Sequence, residues 1–113
     1  MGTLNALFGA ILLGFGLILF LMAIPLLRGS VGRNNYYGFR YAKAYASDDA
    51  WRRINHYGAQ QQMIWSPPII AAGLLAFWLP LDEQPLLLYP LLAVILACIL
   101  IVTIRSYRFA RRV

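Results

Sequence analysis

Hydrophobic residues run along this chain in two long unbroken blocks and one interrupted block, with the polar residues gathered between them. From Leu4 to Leu27 there is no charged residue. As an α-helix such a block rises about 36 Å, enough to cross a hydrocarbon layer with some tilt. It has no basic leader, exceeds the length of a signal-peptide core and is followed by no small-x-small cleavage pattern, so it reads as a retained span. The block from Leu86 to Ile104 is equally apolar, with Tyr89 and Tyr107 near its ends. The middle block is weaker. Only Ile69 to Leu79 is strongly apolar, and a sufficient length requires extension back to about Gln61, through Gln62, Ser66, Pro67 and Pro68. Two adjacent prolines remove two helix donors, which predicts a break near Ser66–Pro68. Trp65 and Trp78 then mark the two interfaces of this span.

The long polar passage between the first two blocks carries its own helix signal. Ser47 is placed as an N-cap, and Asp48 and Asp49 fall in the first turn, where the helix dipole favours them. Asp48–Arg52 and Asp49–Arg53 have i,i+4 spacing, and Trp51, Ile54, Tyr57 and Gly58 share the other side. This predicts a short amphipathic helix over about 48–58, lying at the membrane interface. The fold class expected is therefore an all-α integral membrane protein in a single domain, residues 1–113. Its parts are spans at about 4–27, 61–80 and 86–106, a loop at 28–60 holding the amphipathic helix, a turn at 81–85 and a tail at 107–113.

Composition agrees with a membrane class: 61% of the residues are hydrophobic and 12% charged, against roughly 25% charged in soluble domains. Charge supplies the orientation. Arg28, Arg33, Arg40, Lys43, Arg52 and Arg53 lie in the long loop, and Arg105, Arg108, Arg111 and Arg112 lie at the end of the chain. The other connection holds Asp82 and Glu83 and no base. By the positive-inside rule the loop and tail are cytoplasmic and the N-terminus is outside, in a bacterial cytoplasmic (inner) membrane. The net charge of +6 is thereby used by topology, and the bases are split between two elements with no reading motif, which excludes nucleic acid as the expected partner.

Candidate chemistry is sparse. No acidic residue or histidine falls within a span, so ion-coupled transport lacks its usual group. His56 and Cys98 are single and far apart in sequence, whereas a metal site needs three or four convergent ligands. Ser47 reads as a cap, and no glycine-rich phosphate loop opens a helix. No catalytic residue, metal or cofactor is assigned, and the chain is not expected to be an enzyme. Gly2, Gly9 and Gly16 recur every seven residues, and Gly9 and Gly16 are assigned to close helix packing, within the chain or between copies in a homo-oligomer.

In the loop, Asn34-Asn35-Tyr36-Tyr37-Gly38-Phe39-Arg40 mixes turn formers with aromatics beside a membrane surface. One reading is a solvated, lipid-contacting loop. The other is a recognition surface anchored by Arg40 and Trp51, residue types that dominate binding hot spots.

Asn34, Tyr37-Gly38-Phe39-Arg40, Trp51 eleven residues past the arginine, and Asn55 four later resemble the signature loop of the SdpI family. That family is named for an immunity protein against a sporulation-delaying toxin peptide. Gly32 stands where the family pattern has proline, and Tyr41-Ala42-Lys43-Ala44 where it has T-P-x-T. The resemblance implies a small membrane protein of the immunity and signalling type, with Asn34, Tyr37, Gly38, Arg40, Trp51 and Asn55 as partner-binding residues. The partners it implies are a membrane-active toxin peptide or a cytosolic regulator. The rival expectation is an accessory subunit of a larger membrane complex, and membrane lipids are partners under either.

Overall fold

The computed structural model describes residues 2–113 and contains three long helices, α1 (Thr3–Arg28), α2 (Asp48–Ala76) and α3 (Leu88–Arg112). They form a rod-like bundle of 53 × 23 × 20 Å. Helix α2 is the middle element. It packs along both α1 and α3, whereas α1 and α3 come into no backbone contact among the described residues. Helices α1 and α3 are the two whose length and hydropathy suit a membrane crossing.

In place of the expected loop helix over 48–58 and a span at 61–80 broken near Ser66–Pro68, there is one continuous helix. Helix α2 starts at the Ser47 cap, whose hydroxyl accepts from Ala50 N–H at 3.0 Å, and continues through Pro67 and Pro68 to Ala76. The 48–58 segment is therefore the first third of α2 and not a separate interfacial helix. Proline's fixed φ suits a helix, and the cost lies in the lost donors, which neighbouring helices can offset in a membrane protein. Here the neighbours hold α2 on both sides of the prolines. Gln62 Nε2 donates to the Leu19 carbonyl of α1, and Ser66 Oγ turns back to the Gln62 carbonyl. Beyond the prolines, Ile70 lies against Gly16. The expected Asp48–Arg52 pair is also replaced. Asp48 meets Arg33 of the loop at 2.8 Å, and Asp49 takes Arg52 at 3.2 Å and Arg53 at 3.9 Å.

The α1–α2 seam is built on missing side chains. A Cβ at Gly16 would fall 2.7 Å from the Ile70 side chain, one at Gly9 2.8 Å from the Phe77 ring, and one at Gly73 2.4 Å from the backbone nitrogen of Leu13. Close backbone approach of this kind replaces the hydrophobic drive that helices lack against each other in lipid. At the end of the bundle that holds the 81–85 turn the partners exchange caps. Asn5 of α1, buried, donates to the Ala76 carbonyl at the end of α2 at 2.7 Å and also to Leu79. Asp82 in the turn accepts from Leu4 N–H at 3.3 Å, placing a carboxylate at the positive end of α1. Leu12, Ala72, Ala76, Leu81 and Leu91 form the core there.

These contacts predict that Gly73→Ala will lower the thermal unfolding midpoint in detergent, at an overpacking cost of about 1–3 kcal/mol. Gly14, whose Cβ would meet nothing within 4 Å, is the control: Gly14→Ala should leave the midpoint unchanged or raise it slightly.

Candidate functional site

Because α1 and α3 stand apart, one face of α2 is left as the floor of a groove, and the loop lies in it as a strap. The residues of α2 along this floor are Trp51, Asn55, Gly58 and Gln62, spaced by four, three and four, as one helix face requires. The strap begins after Gly29, whose φ of +73° ends α1 in the left-handed region. Each of its fixings can be named.

Asn34 folds the first part. Its Oδ1 accepts from Tyr36 N–H at 2.8 Å and Tyr37 N–H at 2.6 Å, and its Nδ2 donates to the carbonyls of Gly32 at 2.8 Å and Tyr37 at 3.0 Å. One side chain thus closes the turn that reverses the chain. Gly38 follows with φ +122°, and a Cβ there would fall 2.7 Å from Asn55 Oδ1 and 3.0 Å from the Trp51 ring. This position needs glycine twice over, for its backbone and for its space.

Asn55 is the central fixing. It is 2% exposed. Its Oδ1 accepts from Phe39 N–H at 2.6 Å, and its Nδ2 donates to the Phe39 carbonyl at 3.4 Å and the Trp51 carbonyl at 2.9 Å. The Phe39 ring then drops onto Gly58, where a Cβ would fall 2.5 Å from it. Trp51 holds the entry to the strap by donating Nε1–H to the Val31 carbonyl at 2.9 Å. Tyr45 packs on Trp51 with centroids 5.5 Å apart and donates its hydroxyl to the Asn34 carbonyl at 2.8 Å.

Two tyrosines tie the strap to the flanking helices. Tyr37 donates its hydroxyl to the Met22 carbonyl of α1, and Tyr41 donates to the Thr103 carbonyl of α3 at 3.3 Å. Burial pushes both phenols above their ordinary pKa, so both stay protonated as donors through the physiological range. Lys43 adds a bond from Nζ to the Arg111 carbonyl at 2.6 Å. Further along α2, Tyr57 stacks on Phe109 at 4.3 Å, and Arg105 reaches Gln61 at 3.4 Å and lies 5.8 Å from the Trp65 ring centre.

Five of the six residues singled out in the loop, Asn34, Tyr37, Gly38, Trp51 and Asn55, are thus brought together and fix the strap, Tyr37 through its bond to α1 and Gly38 through its backbone. Arg40 is different. It is exposed, donates only to the Asn35 carbonyl, and forms no ion pair among the described residues. Gly9 and Gly16 lie elsewhere, on the α1–α2 seam. Sequence reasoning missed Phe39, Val31 and Gln62, because the partner of each lies on another element.

Above Phe39 the groove is empty. A chamber of about 160 Å³ lies between α1 and α3, lined by Leu19, Phe39, Gln62, Ile69, Cys98 and Val102 among others. Nearby, Trp65 Nε1 and Ser106 Oγ are buried without partners among the described residues. Among those residues no three His, Cys, Asp or Glu side chains converge as metal ligands.

The model of the SdpI/YfhL protein family matches residues 30–104, which spans the strap, all of α2 and most of α3. The chain belongs to the SdpI/YfhL family. Curated proteins and solved structures give no match to it. Membership makes this a membrane protein of the immunity/YfhL type, and the signature residues now have physical roles in building the strap.

Two substitutions test those roles. Asn55→Ala leaves the Phe39 N–H without its partner, at a cost of about 1–3 kcal/mol. It should turn the strap into a substrate for limited trypsin cleavage at Arg33, Arg40 and Lys43. Trp51→Phe removes the bond to Val31, about 0.5–1.5 kcal/mol, together with part of the indole packing on Gly38 and Tyr45, and should likewise accelerate cleavage.

Proposed function

We propose that the chain is a non-catalytic receptor of the bacterial cytoplasmic membrane, crossing it three times with the N-terminus outside, and that it gives immunity to a membrane-active peptide or senses one. All ten basic residues belong to the loop, the start of α2 and the two helix ends beside them, and the acidic turn lies at the opposite end, which supports that orientation. Helix α2 is the least apolar of the three, and its position between α1 and α3 shields Gln61 and part of Gln62. The spans meet the intruding peptide, and the strap responds on the cytoplasmic face.

The observation that carries this reading is the contrast within the motif. Four side chains and the backbone of Gly38 are consumed in holding the strap, and within the motif only Arg40 is presented outward without an ion pair. A fixed scaffold displaying one free guanidinium suits recognition of a carboxylate or backbone carbonyls on a cytosolic regulator. The rival reading, an accessory subunit of a larger complex, drew on the Gly9/Gly16 face. That face is covered by Phe77 and Ile70 of the same chain, so the support falls away.

Arg40→Ala should abolish protection against a membrane-active peptide in a growth challenge, with the amount of protein in the membrane unchanged. Arg40→Lys should recover only part of it, because an ammonium cannot reproduce the planar fork. Full protection by Arg40→Ala at equal abundance would sink the proposal.

A further inference from the structure

We infer that the end of α3 is a binding site for the headgroup of an acidic phospholipid, formed by Arg108, Arg111 and Arg112. The inference rests on the chain being a membrane protein and on no part of the immunity reading, so the two can fail separately.

The first observation is how differently the arginines near the strap are treated. At the start of α2, Arg33 meets Asp48 at 2.8 Å, while Arg52 and Arg53 share Asp49 at 3.2 and 3.9 Å. Those three guanidiniums have their counter-charge within the chain. Arg108, Arg111 and Arg112 are exposed and form no ion pair among the described residues. Yet they converge. At 3.6 residues per turn the three fall within about 100° of helix arc, and together they line a cleft of about 410 Å³, with room for a headgroup and not merely one bare ion. Lys43 brings a fourth cation from the strap, its Nζ donating to the Arg111 carbonyl at 2.6 Å.

Simpler explanations fall short in magnitude. A helix C-terminus carries about half a negative charge, which a single arginine more than matches. The positive-inside rule asks for bases on one side of the membrane. It does not ask for three on one arc, where like charges three and four residues apart destabilise a helix. Four cations gathered without a carboxylate leave the anion to be supplied from outside the chain.

Depth selects that anion. The unbroken apolar stretch of α3 ends at Ile104. Tyr107, about half exposed, follows it and braces the Arg111 guanidinium 5.9 Å from its ring centre. An exposed tyrosine at the end of an apolar helix marks the membrane–water interface. The three arginines come within about 8 Å of it along the axis, at the level of the headgroups. Phosphate oxygens are what a bilayer presents there, and the guanidinium fork pairs with them through two hydrogen bonds. A zwitterionic headgroup brings its own cation, so the charge of the cleft is met only by an acidic one. A headgroup seated there screens Lys43 from the arginines and holds the strap against α3.

Native mass spectrometry of the full chain in a neutral detergent, with phosphatidylglycerol and phosphatidylcholine in equal amounts, tests the site. Phosphatidylglycerol should be retained about ten-fold more, saturating at one per chain, since each basic residue near an acidic headgroup is worth about five-fold. Arg108→Gln/Arg111→Gln/Arg112→Gln should bring its retention down to that of phosphatidylcholine. Arg28→Gln/Arg52→Gln/Arg53→Gln removes the same charge from other elements and should keep the preference. Retained trypsin resistance at Arg40 shows that each variant has folded. Equal retention of the two lipids in the parent chain would overturn the inference, and so would an equal loss in both variants, which would reduce the effect to overall charge.

A second arm reads the source of the phosphate. Inorganic phosphate equimolar with the lipid should not compete, because it has no acyl chains to hold it at the detergent surface. Displacement of phosphatidylglycerol by it would assign the cleft to a soluble anion and overturn the lipid. Phosphatidylglycerol binding that persists while immunity fails in cells would leave this site standing and remove only the proposed function.

Discussion

The amide of Asn55 holds the backbone of Phe39 from both sides, and most of the strap-bearing half of the molecule depends on that grip. A backbone segment lying against a helix, with only one 3-10 helix (Ala42–Ala46) of its own, has donors and acceptors to satisfy. Asn55 meets both groups of one residue with both ends of one side chain. Asparagine is suited to this because it offers a donor and an acceptor without charge. A carboxylate would lose the donor and add a charge to a buried position. Once Phe39 is fixed, its ring has Gly58 as a seat, Gly38 must turn left-handed to reach it, and Arg40 is directed outward as the next residue along.

The same logic runs through the opposite half with different residues. Where the strap is absent, glycines at 9, 16 and 73 bring α1 against α2 directly, and Asn5 closes the end of α2 as Asn55 closes the strap. Helix α2 thus carries a continuous narrow face of small and polar residues, covered by strap at one end and by helix at the other. The chamber lies where one covering gives way to the next.

Much of this was legible in the residues. Block lengths gave the long helices, Ser47 gave the start of α2, and the charge asymmetry separated the two ends. The signature loop pointed to the family and to the residues that build the strap. The continuity of α2 was not legible, since a pair of prolines reads locally as a stop and what holds the helix on either side is a bond to Leu19 and packing against Gly16, over forty positions away. The pairing of Asp48 with Arg33 was hidden for a related reason: helical spacing shows only partners on the same helix. The roles of Phe39 and Gln62 were missed because neither carries a motif of its own. Each is defined by what α2 and α1 place against it.

That α1 and α3 make no backbone contact bears on how the bundle is assembled. The polar groups of α2 are met from both sides, Gln62 by the Leu19 carbonyl of α1 and Gln61 by Arg105 of α3, but only the α1 seam has backbones brought together at glycines. Helices α1 and α2 therefore form the tighter hairpin, with the strap folding into its open side. The third helix then joins a pair already formed, and it closes the chamber as it arrives. The last seam to be made is the one that shapes the pocket, and in reverse it is the first that can loosen without dissolving the rest.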